Sequence, residues 1–544
     1  MKKFSAVLSM IALCCLSFGC SQNQTKTDNP PVSTPTEADI NEETESPTDA
    51  VTDSTLPILK IDTINQEANA LDFVKLPVAP FVSEQIATWT PNYKMPPAPY
   101  YESCKITLSD ADENVLLSNI EAQVKVRGNW TTTYDKKGLR IKFTETQNML
   151  GLNEGAKTKN WVLLAEYKDA SMLRNKSALA ICREILSADG LYASDAEFVE
   201  VYINGNYWGI YLLAEMQQVN PDRVAITEPL PDYADTDIGY LMEFDGYYTN
   251  ESELNQFFVD YADNAELIPY DGKGGSGRTM KCLKDGKKDP KKDVGITIKS
   301  DIYSQEQHDF IESYVNNVYE IMYNAAYNDK AYVFNSDYSK IIPKPDITPQ
   351  QAVENVVNVE SLADMYIISE LTCDADIYWS SFYMSADFGA EGDKKLTFEA
   401  PWDFDSAMGN KDRCADGQGF YAANIVPDVN GGPQGNGEYE TINPWLAVLA
   451  YEDWYQEIIK DKWTAAYDSG VFERGIEIVE NDKTAHAEAF ERNYAKWDNI
   501  RKNDSFAMEL SKEAASCKTH EEAADFLAEW LESRVDFLNE QWHR

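Results

Sequence analysis

The sequence predicts an α+β protein in which strands come first and helices later, and three observations carry that order. Short alternating or β-branched runs crowd the part before Glu215. An Asn204-Gly205 pair joins two of them, the strongest short signal for a hairpin. Toward the C-terminus, apolar residues instead recur at spacings of three and four, from Val359 to Leu371 and from Glu521 to Trp542. At 544 residues, with 43% hydrophobic and 12% aromatic content, the chain can fill a large core.

Residues 1–20 read as a targeting segment. Lys2 and Lys3 supply the positive start and Phe4 to Phe18 the apolar stretch, too short for the ~20 residues that span a bilayer. Gly19-Cys20 reads as a lipoprotein cleavage point, with ordinary secretion as the alternative. Residues 21–55 are Ser, Thr, Pro, Asn and acidic residues with almost no large apolar side chain, a composition that cannot offset its ordering entropy and predicts a disordered stalk. The folded part is then 56–544.

Strands are expected at Leu56 to Thr63, Lys105 to Ser109, Ala122 to Val126 and Leu139 to Phe143. The last two form a hairpin around the long polar loop from Gly128 to Gly138. A helix is expected from about Ala170 to Leu186, with Asp169 or Ser171 as its N-cap. A second hairpin pairs Phe198 to Ile203 with Trp208 to Leu213. The stripe Ala523, Phe526, Leu527, Trp530, Leu531, Val535, Leu538 and Trp542 is expected in the core. Turn-rich stretches around Asp271 to Asp293 and Asp412 to Asn443 read as insertions.

Charge and reactive side chains exclude several functions. A net charge of −43 argues against nucleic acid or an anionic membrane surface as partner. The one strongly basic island, Lys281 to Lys292, reads first as a solvated loop and second as a dock for an acidic protein substrate. Cys104, Cys182, Cys282, Cys373, Cys414 and Cys517 are widely spaced, leaving room for one or two disulfides but no zinc ribbon. His308, His486, His520 and His543 have no neighbouring nucleophile or metal-ligand spacing. Chemistry therefore falls to carboxylates, Lys, Arg and backbone amides.

Two acidic stretches stand out. The run from Leu396 to Asp405 is apolar and strand-like, then ends in Asp403-Phe404-Asp405 beside Pro401 and Trp402, a setting that suits a divalent metal. Upstream, Glu370 to Asp376 carries Asp374 and Asp376. Together they suggest a phosphoryl-transfer centre.

Several strings now carry a resemblance. Val126-Arg-Gly-Asn-Trp130 with Lys136 to Phe143, Asn160 to Leu164 with Asp169, Leu173-Arg-Asn-Lys176, Val201 to Glu215, and Pro401-Trp-Asp-Phe-Asp405 with Gly409 occur in one order. In that order they resemble the CotH spore-coat protein kinase family. The resemblance implies a two-lobed, atypical protein-kinase-like fold, with a strand-rich lobe at about 56–215 and a helical lobe at about 216–544. It also implies ATP with Mg2+ or Mn2+ between the lobes and transfer of phosphate to serine on an exported or surface protein.

On that pattern, Arg127 and Gly128 open the phosphate cradle, and Lys137, Arg140 or Lys142 supplies positive charge. Arg140 and Lys142, two apart, share a strand face. Asp403 holds metal, and Asp405 holds metal or the loop. Asp376 orients the serine hydroxyl and accepts its proton, with Asp374 as competitor. Asp169, Arg174 and Glu215 match the pattern but read first as structural. Ser381 stands where the family commonly has Asn before the aromatic pair, here Phe382-Tyr383, so a nucleotide-binding pseudokinase is an alternative. Two others are a non-catalytic surface-binding protein and a metal-dependent glycosyltransferase; the missing Gly-rich βα turn speaks against the latter. The expected location is outside the cytoplasm, with membrane contact only through a lipid on Cys20.

Overall fold

Seven strands close into a barrel in the first part of the chain. The computed structural model describes residues 54–274, 277–283, 293–411, 416–425, 440–500 and 510–544. The expected signal segment, nearly all of the stalk, Cys20, Cys414 and most of the basic island lie outside the described residues. The barrel strands are β1 (Ile58–Thr63), β2 (Glu102–Ser109), β3 (Val115–Val126), β4 (Leu139–Gln147), β5 (Thr158–Leu164), β6 (Ala196–Ile203) and β7 (Asn206–Glu215). Their order is β1-β2-β3-β4-β5-β7-β6, closed by a parallel pairing of β6 with β1. Closure removes every free edge from this sheet.

The strand sequences differ by position in the barrel. In β2 to β4 Ile106, Leu108, Val124, Val126, Leu139, Ile141 and Phe143 fill the interior, and the intervening residues face outward. Lys125, Arg127, Arg140 and Lys142 thus share the outer face of the β3–β4 pair, where Lys125 stands opposite Arg140. By contrast β6 and β7 are buried on both faces, with Phe198, Ile210, Leu212 and Ala214 packed into the neighbouring core. That is why they read as continuous apolar runs. The turn between them holds Asn204 and Gly205 at φ 50° and 78°, as a two-residue hairpin requires.

Helix α1 (Asp72–Lys75) and helix α2 (Pro80–Trp89) lie between β1 and β2, and α3 (Arg174–Ser187) follows β5. The predicted hairpins and this helix are present. The cap of α3 differs from expectation: Leu173 holds the cap position with no side-chain bond. Ser171 and Asp169 act from further out, Ser171 Oγ accepting from Leu173 N–H and Asp169 Oδ2 from Arg174 N–H.

The part read as helical does hold long helices, among them Gln305–Asn328, Val359–Thr372, Asp453–Asp468 and His520–Trp542. It also carries a sheet that the sequence reading did not place. Strand β8 (Gly239–Asp245) lies centrally in it, in the order Thr397–Phe398, Phe382–Asp387, β8, Gly295–Ile298, Gln256–Phe257. All seven residues of β8 are buried, so its sequence lacks the alternation that marks a half-exposed strand. The stripe from Ala523 to Trp542 is buried as expected except for Phe526, which is half-buried against the core. Among the described residues no helix is long and apolar enough to cross a membrane, and Cys104, Cys182, Cys282 and Cys517 are free thiols.

Candidate active site

Asp376 lies just past the helix Val359–Thr372, which ends on Cys373 in the left-handed region. Asp374 Oδ1 accepts from Asp376 N–H (2.9 Å), while the Asp376 carbonyl accepts from Trp379 and Ser380 N–H (2.8 Å each). Asp374 is buried and braces the turn; Asp376 is half-buried and its charge acts on Asp403.

Asp403 follows the short strand Thr397–Phe398 and sits at φ 73°, ψ 57°, before a single turn from Phe404 to Ser406. Left-handed backbone is uncommon outside glycine, though Asp tolerates it better than most, and it persists only where surroundings enforce it. Here α3 enforces it. Asn175 Oδ1 accepts from Phe404 N–H (2.8 Å), and Arg174 Nε donates to the carbonyls of Ala407 (3.2 Å) and Met408 (3.3 Å). Met408 N–H in turn donates to the Thr372 carbonyl (2.7 Å), tying this loop to the end of the helix that carries Asp376. Asn410 Nδ2 closes the loop on the Asp405 carbonyl (2.6 Å).

The result is a carboxylate cluster. Burial, then Asp405, then Asp376 push the Asp403 carboxyl from an ordinary 3.8 up to about 7, against the pull of Arg127 and Lys168. Lys168 Nζ donates to Ser406 Oγ (2.6 Å) and lies 3.4 Å from Asp405 Oδ1. Arg127 arrives from the end of β3, its guanidinium 5.6 Å from the Trp402 ring centre. Burial lowers its pKa, while Asp403, Tyr383 and Glu243 act to hold its charge. Arg127, on the outer face of β3–β4, therefore lies beside the loop of Asp403.

The five proposed phosphate-binding positions separate. Gly128 is exposed at φ 107°, where a Cβ would come 2.2 Å from Thr131 Oγ1, so glycine is needed there. Arg140 is close enough to Arg127 to depress its pKa and donates through Nη2 to Asn160 Oδ1 (2.9 Å). Lys142 is exposed further along the same face. Lys137 is turned away from the carboxylates: its ammonium donates to the carbonyls of Thr132 and Tyr134 (the latter 2.8 Å) in its own loop. Burial draws it down to about 8. Lys136 is spent on the carbonyls of Ala165 and Ile210 and on Asn493 Oδ1.

Three residues with structural readings keep them. Asp169 pairs with Arg174 and caps α3, and Glu215 is buried with Arg223 (3.1 Å) and Asn153. Ser381, at φ 63°, donates its N–H to Glu243 Oε1 (2.9 Å). Lys168 and Asn175 are participants that sequence reasoning missed. Asn175 lies in the quoted string Leu173 to Lys176, and Lys168 directly precedes Asp169; adjacency was their only signal.

Two other clusters lack these features. His308, Asp309 and Glu312 bring ligand atoms within 4.8 Å of one another, but both ring nitrogens of His308 already face partners, Gln256 O and Asp309 Oδ1. An open hollow of about 380 Å³ along the C-terminal helix, lined by Glu529, Glu532, Asp536 and Glu540 among others, shares no residue with the carboxylate cluster. None of its described lining residues is a cation.

Residues 124–538 match the family model described as CotH kinase protein. Over 137 residues the chain is 29% identical to the inner spore coat protein H of Bacillus subtilis (strain 168). That alignment covers 25% of this chain and 33% of that protein, so the chain spans about a third of the length of the curated relative it matches.

Proposed function

The chain belongs to the CotH kinase family, and from that premise we propose that it transfers the γ-phosphoryl group of ATP to serine on an exported protein. In this reading the barrel is the strand-rich lobe of a kinase-like pair, the part from about residue 216 is the larger lobe, and ATP lies between them. The carrying observation is the convergence of Asp376, Asp403 and Asp405 opposite Arg127 and Lys168.

The donors are of the kind a hard divalent cation such as Mg2+ or Mn2+ takes: half-buried carboxylate oxygens of Asp376, Asp403 and Asp405, with Arg127 and Lys168 as the counter-charges acting on Asp403. Asp403 and Asp405 would hold that cation, which when bound neutralises phosphate charge. Arg127, beside the amides of the loop opened by Gly128, faces the phosphates, with Arg140 next to it and Lys142 further out. Lys137 braces the loop. Lys168 holds Asp405 and Ser406 in place, and Asn175 and Arg174 fix the backbone on which Asp403 depends.

Asp376 takes the proton of the serine hydroxyl as its oxygen bonds to phosphorus and the bond to ADP breaks. Positioning and charge stabilisation supply the rest, since phosphoryl transfer asks little covalent chemistry of the protein. The lipid anchor at Cys20 and a location outside the cytoplasm belong to the same proposal.

Ser381 supports a second reading. Its short side chain replaces a common Asn, and its backbone serves Glu243, which suits a protein that binds nucleotide without transfer. Incubation of the purified chain with γ-labelled ATP, Mg2+ or Mn2+ and a serine-rich acceptor decides between them. Label on the acceptor, absent with Asp403→Ala, supports the kinase; ATP binding without label supports the pseudokinase.

A further inference from the structure

Beside Asp376 an indole stands in the open. Trp379 is 36% exposed, yet its position is fixed at both ends of its backbone. Its N–H donates to the Asp376 carbonyl (2.8 Å) and its own carbonyl accepts from Gly246 N–H (2.6 Å). The ring lies against the Gly246 backbone so closely that a Cβ there would come 2.1 Å from the indole. Tyr247 meets the indole edge to face, with centroids 5.9 Å apart and planes at 90°. Phe81 of α2 meets Tyr247 the same way, at 5.8 Å and 78°. Three rings thus form a shelf that begins one turn from the carboxylate assigned to the serine hydroxyl.

The geometry points to this shelf, Trp379, Tyr247 and Phe81, as an acceptor-peptide platform that takes an apolar or aromatic side chain two or three residues from the serine. The inference rests on the kinase reading above. An extended peptide advances about 3.3 Å per residue, so two or three residues carry a side chain from Asp376 to the shelf. Edge-to-face ring pairs leave faces on which another ring can pack.

The charges nearby are already engaged, which argues against recognition of a cation. Glu243 is held by Lys299 (2.7 Å) and Ser381 N–H, and Asp245 by Thr297 Oγ1 (2.8 Å) and Tyr247 N–H (2.7 Å), with Lys299 at 3.8 Å. What the shelf presents is ring surface.

One part of the shelf comes from outside the family-matched segment. Phe81 precedes residue 124, where the match begins. Helix α2 also reaches the loop that follows Gly128: Ala79 N–H donates to Thr132 Oγ1 (2.9 Å), and Trp130, like Phe81, packs against the cluster of Val78, Ala79 and Val82. An element before the matched region thus joins the loop after Gly128 to the shelf.

The test uses the purified full chain, ATP and Mg2+ with a set of serine peptides in which one Phe is moved through the three positions on each side of the serine in a Gly/Ala background. One position two or three residues from the serine should lower acceptor KM about tenfold. Trp379→Ala should abolish that gain while kcat and the KM for ATP stay within about twofold. Trp379→Phe should restore most of it, and Phe81→Ala, on a separate helix, should cost about threefold. Equal KM at all positions, or a Phe preference that survives both Trp379→Ala and Phe81→Ala, overturns the platform and leaves the kinase standing. No transfer to any peptide together with no ATP-dependent thermal shift overturns the kinase reading and the platform with it.

Discussion

Glu370, fully buried, and Asp403, half-buried, are carboxylates near the ends of the helix and loop that meet at the site, and their surroundings differ. Glu370 has a cation and two amides as partners, although burial still pushes its carboxyl above the ordinary value. Arg534 Nη2 donates to it at 2.8 Å, and Tyr421 and Ala422 add backbone N–H bonds. Arg534 also donates through Nε and Nη1 to the carbonyls of Glu370, Gly417 and Gly419. Asp403 instead faces two more carboxylates, Asp405 and Asp376, with Arg127 and Lys168 as the counter-charges that act on it. A closed pair is architecture, whereas half-buried negative charge in excess is a demand for something from outside.

That contrast can be broken at several points. The largest expected effect is on chemistry: Asp376→Asn should reduce serine phosphorylation by about 10²–10⁴-fold, the usual worth of a positioned proton acceptor, and leave ATP binding intact. A drop in binding as large as the drop in transfer would make Asp376 a metal ligand instead.

Arg534→Met should cost on the order of 3–5 kcal/mol in urea unfolding, because Glu370 is left as an uncompensated buried charge. Asp403→Asn should do the reverse. Its raised pKa means that the fold disfavours the carboxylate form, so at pH 8 and without metal a neutral amide should stabilise the protein by roughly 1–2 kcal/mol. Destabilisation by Asp403→Asn comparable to that of Arg534→Met would erase the distinction between the two carboxylates.

A smaller effect concerns His520, which stacks on Phe490 at 3.9 Å and shares a hydrogen bond with the Ser171 carbonyl (2.8 Å). Burial lowers its pKa from 6.5 to about 4. The unfolded chain therefore takes a proton that the fold refuses. Its contribution to stability is complete above pH 6.5 and is lost as the pH falls from 6.5 toward 4. Between pH 7 and pH 5 the wild type should lose roughly 1–2 kcal/mol more than His520→Gln, as read by chemical unfolding at each pH. Parallel losses would place the acid sensitivity elsewhere.

The legible part of the molecule was the part with local signals. Alternation marked β1 to β4 because one face of each is solvated, and Asn204-Gly205 marked the β6–β7 turn. The buried strand β8 and its partner Phe382–Asp387 carry no alternation and went unplaced. At the site, Asp403 and Asp405 were visible as a string, and Arg127 through its motif. Lys168 and Asn175 were not, because their partners lie 237 and 229 residues away along the chain. Lys137 shows the converse: a lysine that folds back onto the carbonyls of its own loop has the same sequence as one that reaches for phosphate.

The most direct test of the carboxylate cluster is a thermal shift with ATP and Mg2+, measured on the wild type, Asp403→Ala and Asp376→Asn. The cluster as described predicts a magnesium-dependent rise in Tm for the wild type and Asp376→Asn and none for Asp403→Ala. The same rise in all three proteins, or none in the wild type, would contradict it.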